Sequence, residues 1–257
     1  PGRPDALEAA HSVMRALQSS GVSVVVARQQ TPAISEGLEP PPDVIDTGDG
    51  LTDIELGIVL GGDGTILLAA ELLRGSGAPL LGVNLGHVGF LAESEKDDLG
   101  FTIDQVLAQK YDVDERLALD VVATQGADEL FRTFALNEAT VEKADRARMV
   151  EIALEVDGRP VSSFGADGVV LSTPTGSTAY SFSAGGPIVW PQVQALVMTP
   201  LSAHALFARP MVVDPGSTLA VEILERSDQH AVLWCDGRRG VDLPAGARVT
   251  VTTSNEP

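Results

Sequence analysis

The chain has 257 residues, 44% of them apolar, with 26 glycines and a formal net charge of −19 from 17 Lys and Arg against 36 Asp and Glu. That acidity excludes the basic footprint of a nucleic-acid binder, and no apolar run approaches the roughly 20 residues of a membrane span. The single cysteine, Cys235, excludes a disulfide framework and suits a reducing compartment, with a buried apolar role expected for it.

In chain order, PDALEAAHSVMRALQSSG from Pro4 predicts an amphipathic helix with Pro at its start and Gly21 as its stop. VSVVVA (Val22–Ala27) predicts a short β-branched strand. The acidic, Pro-rich PPPDVIDTGDGLTDIE reads as a solvated loop, and no signal-peptide pattern opens the chain. IELGIVL, from Ile54, predicts a strand, TILLAAELLRGSG, from Thr65, a helix ending at glycines, and APLLGVNLG a further strand. Continuous apolar strands alternating with helices predict a parallel sheet covered on both faces. Near Lys110 the pattern changes. YDVDERLALDVVATQ, ELFRTFAL, MVEIALEVDGRPVSS, DGVVLS, STLAVEIL, HAVLWCDGRR and ARVTVTTS read as short strands, several joined by Asp-Gly turns, the strongest short-range hairpin signal. The expected architecture is an α/β domain over residues 1–110 followed by an all-β, sandwich-like domain over residues 111–257.

The GGDGT turn at Gly61–Thr65 carries the first chemistry. It is not a P-loop, because Thr65 and Ile66 follow the last glycine where Lys and Ser or Thr are needed. Nor is it the dinucleotide fingerprint, whose third glycine would fall on Leu67. The nucleophile elbow is absent, since the stretch Ser181–Gly185 lacks its first glycine. Amides at the following helix N-terminus, read as opening at Thr65, are suited to phosphate oxygens, which makes the carboxylate of Asp63 the feature to explain. It can meet Mg²⁺ carried with a nucleotide, or accept the proton of an attacking hydroxyl late in phosphoryl transfer. The competing structural reading is an Asx-type turn that caps the helix.

A second stretch, DGVVLSTPTGSTAYSFSAGGP (Asp167–Pro187), runs from an apolar strand into Ser172, Thr173, Thr175, Ser177, Thr178, Ser181 and Ser183. Small residues and hydroxyls let backbone lie against a polar ligand, and Tyr180 offers an aromatic face. In FALNEATVEK, Asn137 and Glu138 pair an amide with a carboxylate, suited to an adenine edge and ribose hydroxyls. Arg146, Arg148, Arg238 and Arg239 are candidate phosphate clamps. The four histidines, His11, His87, His204 and His230, lack the short spacings of a metal site, so no protein metal site is expected.

Taken together, GGDGT, GVNLGHVGFLAE (Gly82–Glu93), LNEATVEK (Leu136–Lys143), FGADGVVLSTPTGSTAYSFSAGGP (Phe164–Pro187) and LFARPMVV (Leu206–Val213) resemble the NAD kinase family. The resemblance implies a cytoplasmic homodimer or homotetramer that phosphorylates the 2′-hydroxyl of NAD's adenosine ribose. The donor would be ATP or polyphosphate, brought with Mg²⁺ or another divalent cation. It implies Asp63 as catalytic base, with Gly64 and Thr65 beside the phosphates, and Asn137 and Glu138 on the adenosine. Asp167, Thr175, Thr178, Ala179, Tyr180, Ser181 and Ser183 would line the dinucleotide site, with Arg148 and Ser202 as further contacts. Two positions depart from the resemblance: Leu68 and Gly165 stand where some relatives carry basic residues. A lipid kinase shares the Gly-Gly-Asp-Gly turn but predicts a basic or apolar membrane-facing surface. A non-catalytic NAD(P) sensor is the other alternative, against which Asp63 argues.

Overall fold

The structure is a computed structural model that describes residues 4–28, 41–45, 53–85, 94–95, 98–205, 208–225 and 230–256. The chain divides into two compact units, Pro1–Asp114 and Glu115–Pro257.

In the first unit, α1 (Pro4–Ser19) buries Ala9, Ala10, Val13, Met14 and Leu17, one stripe at helical spacing. β1 (Val25–Ala27) pairs in parallel with β2 (Asp43–Ile45). Next come β3 (Gly57–Leu60), α2 (Asp63–Leu73), β4 (Leu80–Asn84), β5 (Ser94–Glu95) and α3 (Leu99–Leu107). β3, β4 and β5 form a parallel sheet in that order. The α1 stripe packs on it through Leu60 and Val83, and Val13 and Leu17 also meet Ile103 of α3.

The expected parallel α/β unit is present, with three differences of detail. β2 lies inside the acidic stretch read as a loop, where the Val44–Ile45 pair is enough to add a strand beside β1. The helix after the glycines opens at Asp63, two residues earlier than Thr65, which puts the carboxylate inside its first turn. α3 was not foreseen; a single buried residue, Ile103, marks its inner face. Residues 86–93 of GVNLGHVGFLAE, His87 among them, and Leu206 and Phe207 of LFARPMVV lie outside the described residues.

The second unit is antiparallel throughout its described ladders. Its strands are β6 (Leu119–Gln125), β7 (Asp128–Ala135), β8 (Glu138–Lys143), β9 (Val150–Val156), β10 (Arg159–Ala166) and β11 (Gly168–Ser172). They continue with β12 (Leu196–Leu201), β13 (Met211–Val213), β14 (Leu219–Ile223), β15 (Ala231–Cys235), β16 (Arg239–Leu243) and β17 (Ala247–Thr253). Two sheets result, ordered β10-β9-β14-β17-β6-β7 and β13-β12-β11-β8-β15-β16. Between them lies one apolar core containing Val121, Ile152, Leu154, Leu171, Met198, Leu219 and Leu233. Burial of each such side chain contributes ~1.5–3 kcal/mol of transfer free energy. Cys235 is fully buried in this core, as an apolar residue.

The core positions the polar residues. Ala139 and Val141 of β8, and Val169 and Leu171 of β11, face the inter-sheet core. By the two-residue period of a strand, Glu138, Thr140, Val170 and Ser172 therefore emerge on the sheet's other face. Two Asp-Gly turns, as the sequence suggests, reverse the chain. Asp157–Gly158 joins β9 to β10, and Asp236–Gly237 lies between β15 and β16, with positive φ at all four residues, the signature of type I′ geometry.

Candidate active site

In the first unit, β3 delivers the chain to Gly61, whose N–H donates to Val83 O at 3.0 Å. Gly62 follows as an extended N-cap, with φ −90° and ψ −175°. Its carbonyl accepts from Thr65 N at 2.8 Å and Ile66 N at 3.2 Å, closing the first helical turn over Asp63. A side chain on Gly61 would strike Thr65 Oγ1 at 2.6 Å, whereas one on Gly62 or Gly64 would meet no atom within 4 Å. The glycines thus clear space beside the amides of a helix N-terminus, where partial positive charge accumulates. Asp63 is half-buried, and Gly64 and Thr65 are exposed.

In the second unit, the bend Leu136–Asn137 links β7 to β8 and is braced from two sides. One oxygen of the buried Asp236 carboxylate accepts the N–H of Leu136 at 3.0 Å. The other accepts those of Asn137 at 2.8 Å and Glu138 at 3.4 Å. Asp236 N donates in return to Glu138 O at 3.0 Å. On the carbonyl side, Thr173 donates its hydroxyl to Leu136 O at 2.6 Å and its N–H to Asn137 O at 3.0 Å. Arg239 completes the brace, 2.7 Å from Asp236 and stacked 4.0 Å over the Phe134 ring.

The braced bend presents Asn137 and Glu138 where polar atoms remain unsatisfied. Asn137 Oδ1, Glu138 Oε2 and Ser172 Oγ are buried and have no hydrogen-bond partner among the described residues. Ser172 stands directly opposite Glu138 in the β11–β8 ladder, so the two side chains share a face. The N–H of Tyr180 bonds the Glu138 carboxyl. Burial first, and then the negative charge of Asp236, raise Glu138 from 4.5 to about 7. Asp236 is itself raised by burial, against the pull of its three N–H partners and Arg239.

The hydroxyl-rich stretch folds as a 3₁₀ turn, Thr175–Thr178, and a short helix, Tyr180–Ser183. Its hydroxyls divide into two sets. Ser177 donates to Pro174 O at 2.6 Å and accepts from Val189 N at 2.9 Å. Ser181, fully buried, pairs with Thr199 at 3.0 Å. Thr175 is buried, with its carbonyl accepting the Thr178 hydroxyl at 3.1 Å. Thr178 and Ala179 are half-buried, while Tyr180 and Ser183 are exposed.

Five residues along β11, a span of ~17 Å, a second polar group gathers. Asp167 forms an ion pair with Lys143 at 2.5 Å. The Lys143 hydrogen bond, with help from the Ser202 side chain, holds its carboxyl below the usual range. Ser202 is exposed and left-handed, with φ +47°. Arg148 is exposed in the turn that follows β8. No three His, Cys, Asp or Glu side chains cluster as a metal cage among the described residues.

Comparison with known proteins assigns the lineage. The ATP-NAD kinase N-terminal domain matches residues 1–111, and the ATP-NAD kinase C-terminal domain matches residues 136–257. The chain belongs to the ATP-NAD kinase family. It is 56% identical over 267 residues to the NAD kinase of Leifsonia xyli subsp. xyli, covering 100% of this chain and 85% of that protein. Yeast NADH kinase, solved with NADH, superposes with a TM-score of 0.88 at 28% identity, covering 99% of this chain and 78% of the other. An NAD kinase from Archaeoglobus fulgidus, solved with ATP, gives 0.71 at 29% identity, with 91% and 90% covered. The activity class is that of the family, phosphorylation of NAD to NADP, and the lipid-kinase reading of GGDGT falls. No described helix is long and apolar enough to cross a membrane.

Within this family frame, the second unit gathers Asn137, Glu138, Thr175, Thr178, Ala179 and Tyr180 at one end of β11, and Asp167 and Ser202 at the other. Asp63, Gly64 and Thr65 belong to the first unit. Sequence reading overlooked Asp236, taken only as a hairpin residue, and weighed Arg239 as a phosphate clamp when its guanidinium is engaged by Asp236. The Asp-Gly turn signal locates Asp236, but nothing local in the sequence says that its carboxylate faces residues about a hundred positions earlier.

Proposed function

We propose that the chain transfers a phosphoryl group from ATP or polyphosphate to the 2′-hydroxyl of NAD's adenosine ribose, with Asp63 as general base. The observation that carries this reading is that Asn137 Oδ1, Glu138 Oε2 and Ser172 Oγ are each buried with no hydrogen-bond partner among the described residues. Each such group costs ~1–3 kcal/mol while unsatisfied, and a ligand carrying ribose hydroxyls and an amino-bearing base edge supplies the missing partners. Near neutrality Glu138 changes between protonated and ionised forms, so it both donates to and accepts from hydroxyls. Thr175, Thr178, Ala179, Tyr180, Ser181 and Ser183 shape the wall of the dinucleotide site, through backbone where a hydroxyl is already engaged. Asp167, Ser202 and Arg148 serve its far end.

At the other reactant, the amides beside Gly62 and Gly64 receive donor phosphate oxygens. An ordinary carboxylate is too weak a base to deprotonate a ribose hydroxyl outright. Asp63 therefore takes the proton late, as the oxygen loses basicity on bonding to phosphorus. Among the described residues no cage of ligating side chains surrounds Asp63, which fits Mg²⁺ that keeps its waters and arrives on substrate phosphates. Carried on the substrate phosphates, the ion would supply charge neutralisation at the transferring group and leave the Asp63 carboxylate to take the proton. The cytoplasm suits the single buried thiol of Cys235. Phe182, Ile188, Trp190 and Val193, the last three downstream of the site helix, are exposed apolar residues that a dimer or tetramer would cover.

The test supplies the protein with NAD, Mg²⁺ and either ATP or polyphosphate, and reads NADP through glucose-6-phosphate dehydrogenase. NADP is expected with at least one donor; none with either overturns the proposal.

A further inference from the structure

We infer that Asp236, backed by Arg239, is the positioning residue that holds the Asn137–Glu138 bend in the shape the dinucleotide requires. The inference rests on the proposed role of Asn137 and Glu138 in binding NAD. Asp236 touches neither reacting atom; it acts through backbone. Its carboxylate gathers three successive N–H groups, those of Leu136, Asn137 and Glu138. Three converging amides form a concave anion site, and here the anion is supplied by the protein itself. Arg239 lies 2.7 Å from the carboxylate oxygen that accepts the Leu136 N–H, with its side chain only 16% exposed.

The other Asp-Gly turn separates this role from ordinary hairpin chemistry. Asp157 has the same left-handed backbone, φ +54° against +52° for Asp236. It too accepts a distant N–H, that of Thr218 at 2.8 Å. Yet Asp157 is exposed and braces the start of β14, which carries none of the proposed ligand contacts. One turn type thus serves two purposes, and the difference lies in which backbone its carboxylate collects.

Asp236→Asn retains one oxygen for Asn137 and Glu138, but turns an amide N–H₂ toward Leu136 N–H and Arg239, which are donors themselves. The KM for NAD and the calorimetric affinity are expected to worsen about tenfold, with the KM for the phosphoryl donor within about threefold of wild type. Asp157→Asn, the matched control, is expected to lower the unfolding temperature and leave the NAD KM within about twofold. If Asp236→Asn does not fold, Arg239→Gln carries the test, since it leaves all three N–H bonds in place, keeps an N–H donor toward Asp236, and is expected to weaken NAD about threefold. Folded Asp236→Asn, or failing that Arg239→Gln, binding NAD as wild type does would overturn the inference. Equal loss of NAD affinity in Asp236→Asn and Asp157→Asn overturns it too, by reducing Asp236 to general stability. A wild-type protein that makes no NADP would instead sink the function on which the inference rests.

Discussion

A side chain at Gly62 or Gly64 would meet no atom within 4 Å, while one at Gly176 would stand 2.0 Å from the carbonyl oxygen of Asn137. The same residue type serves two opposite demands. Beside Asp63, glycine leaves open space. Beside Asn137, glycine lets one backbone lie directly on another, and Thr173 and Asp236 saturate the N–H and carbonyl groups around it. Under the proposed function, the contrast follows from the chemistry each region would serve. A turn that admits a polyanion needs space and uncommitted amides. A surface that recognises a nucleoside gains affinity when its donors and acceptors are fixed beforehand, so that little ordering remains to be done on binding.

The largest effect expected from this contrast is on turnover. Asp63→Asn keeps the size and the first-turn position but is a far weaker proton acceptor, so kcat should fall about a thousandfold with the NAD KM within about tenfold. Steady-state kinetics decides it. A variant that retained near wild-type turnover would leave Asp63 as a first-turn carboxylate that only complements the helix N-terminus, and remove the chemical half of the comparison.

How much of this was legible beforehand depended on the range of the interaction. Strands such as LAVEI at Leu219–Ile223 and the turns Asp157–Gly158 and Asp236–Gly237 are encoded by neighbours, and the sequence reading found them. β12 and β13 were overlooked because no periodic polar partner marks them: LVMTPL at Leu196–Leu201 is buried on both faces until its end. The pairing of Asn137 with Glu138 was visible as a motif. What made the pair a site, burial of both with Ser172 opposite, came from strand register, which sequence spacing does not reveal. The hydroxyl-rich stretch was read as one ligand-facing surface, whereas Ser177 and Ser181 spend their hydroxyls inside the protein.

A second way to sharpen the contrast uses pH. Burial raises the Glu138 carboxyl from 4.5 to about 7, with the charge of Asp236 adding to it. Between those values the native protein holds a proton that the unfolded chain has released, so stability falls as pH rises through that window. Below it both states are protonated and nothing is lost. At one pKa unit per about 1.4 kcal/mol, the whole shift amounts to ~3 kcal/mol at most. Glu138→Gln, neutral and of similar size, should match wild type near pH 4.5 and unfold at a higher temperature above pH 7. Thermal unfolding of both proteins without ligand, across that range, tests the sign. Parallel curves would mean that Glu138 is solvated in solution and that the bend is not the dry surface described.

The smallest effects come from the glycines themselves, and they bear most directly on the contrast. Gly176→Ala must displace either the Thr175–Thr178 turn or the Asn137 carbonyl. Overpacking of that kind costs ~1–3 kcal/mol, and because the moved group carries Asn137, NAD affinity should fall with the unfolding temperature. Gly64→Ala lies in the first turn of a helix with nothing to strike. It should leave stability unchanged or raise it by up to ~1 kcal/mol, the helix preference of Ala over Gly. Yet its methyl group occupies the space left beside the amides, so the KM for the phosphoryl donor should rise while that for NAD holds. A Gly64→Ala protein with an unchanged donor KM would show that the open space is not where the phosphates approach. In that case the two regions would differ in packing alone.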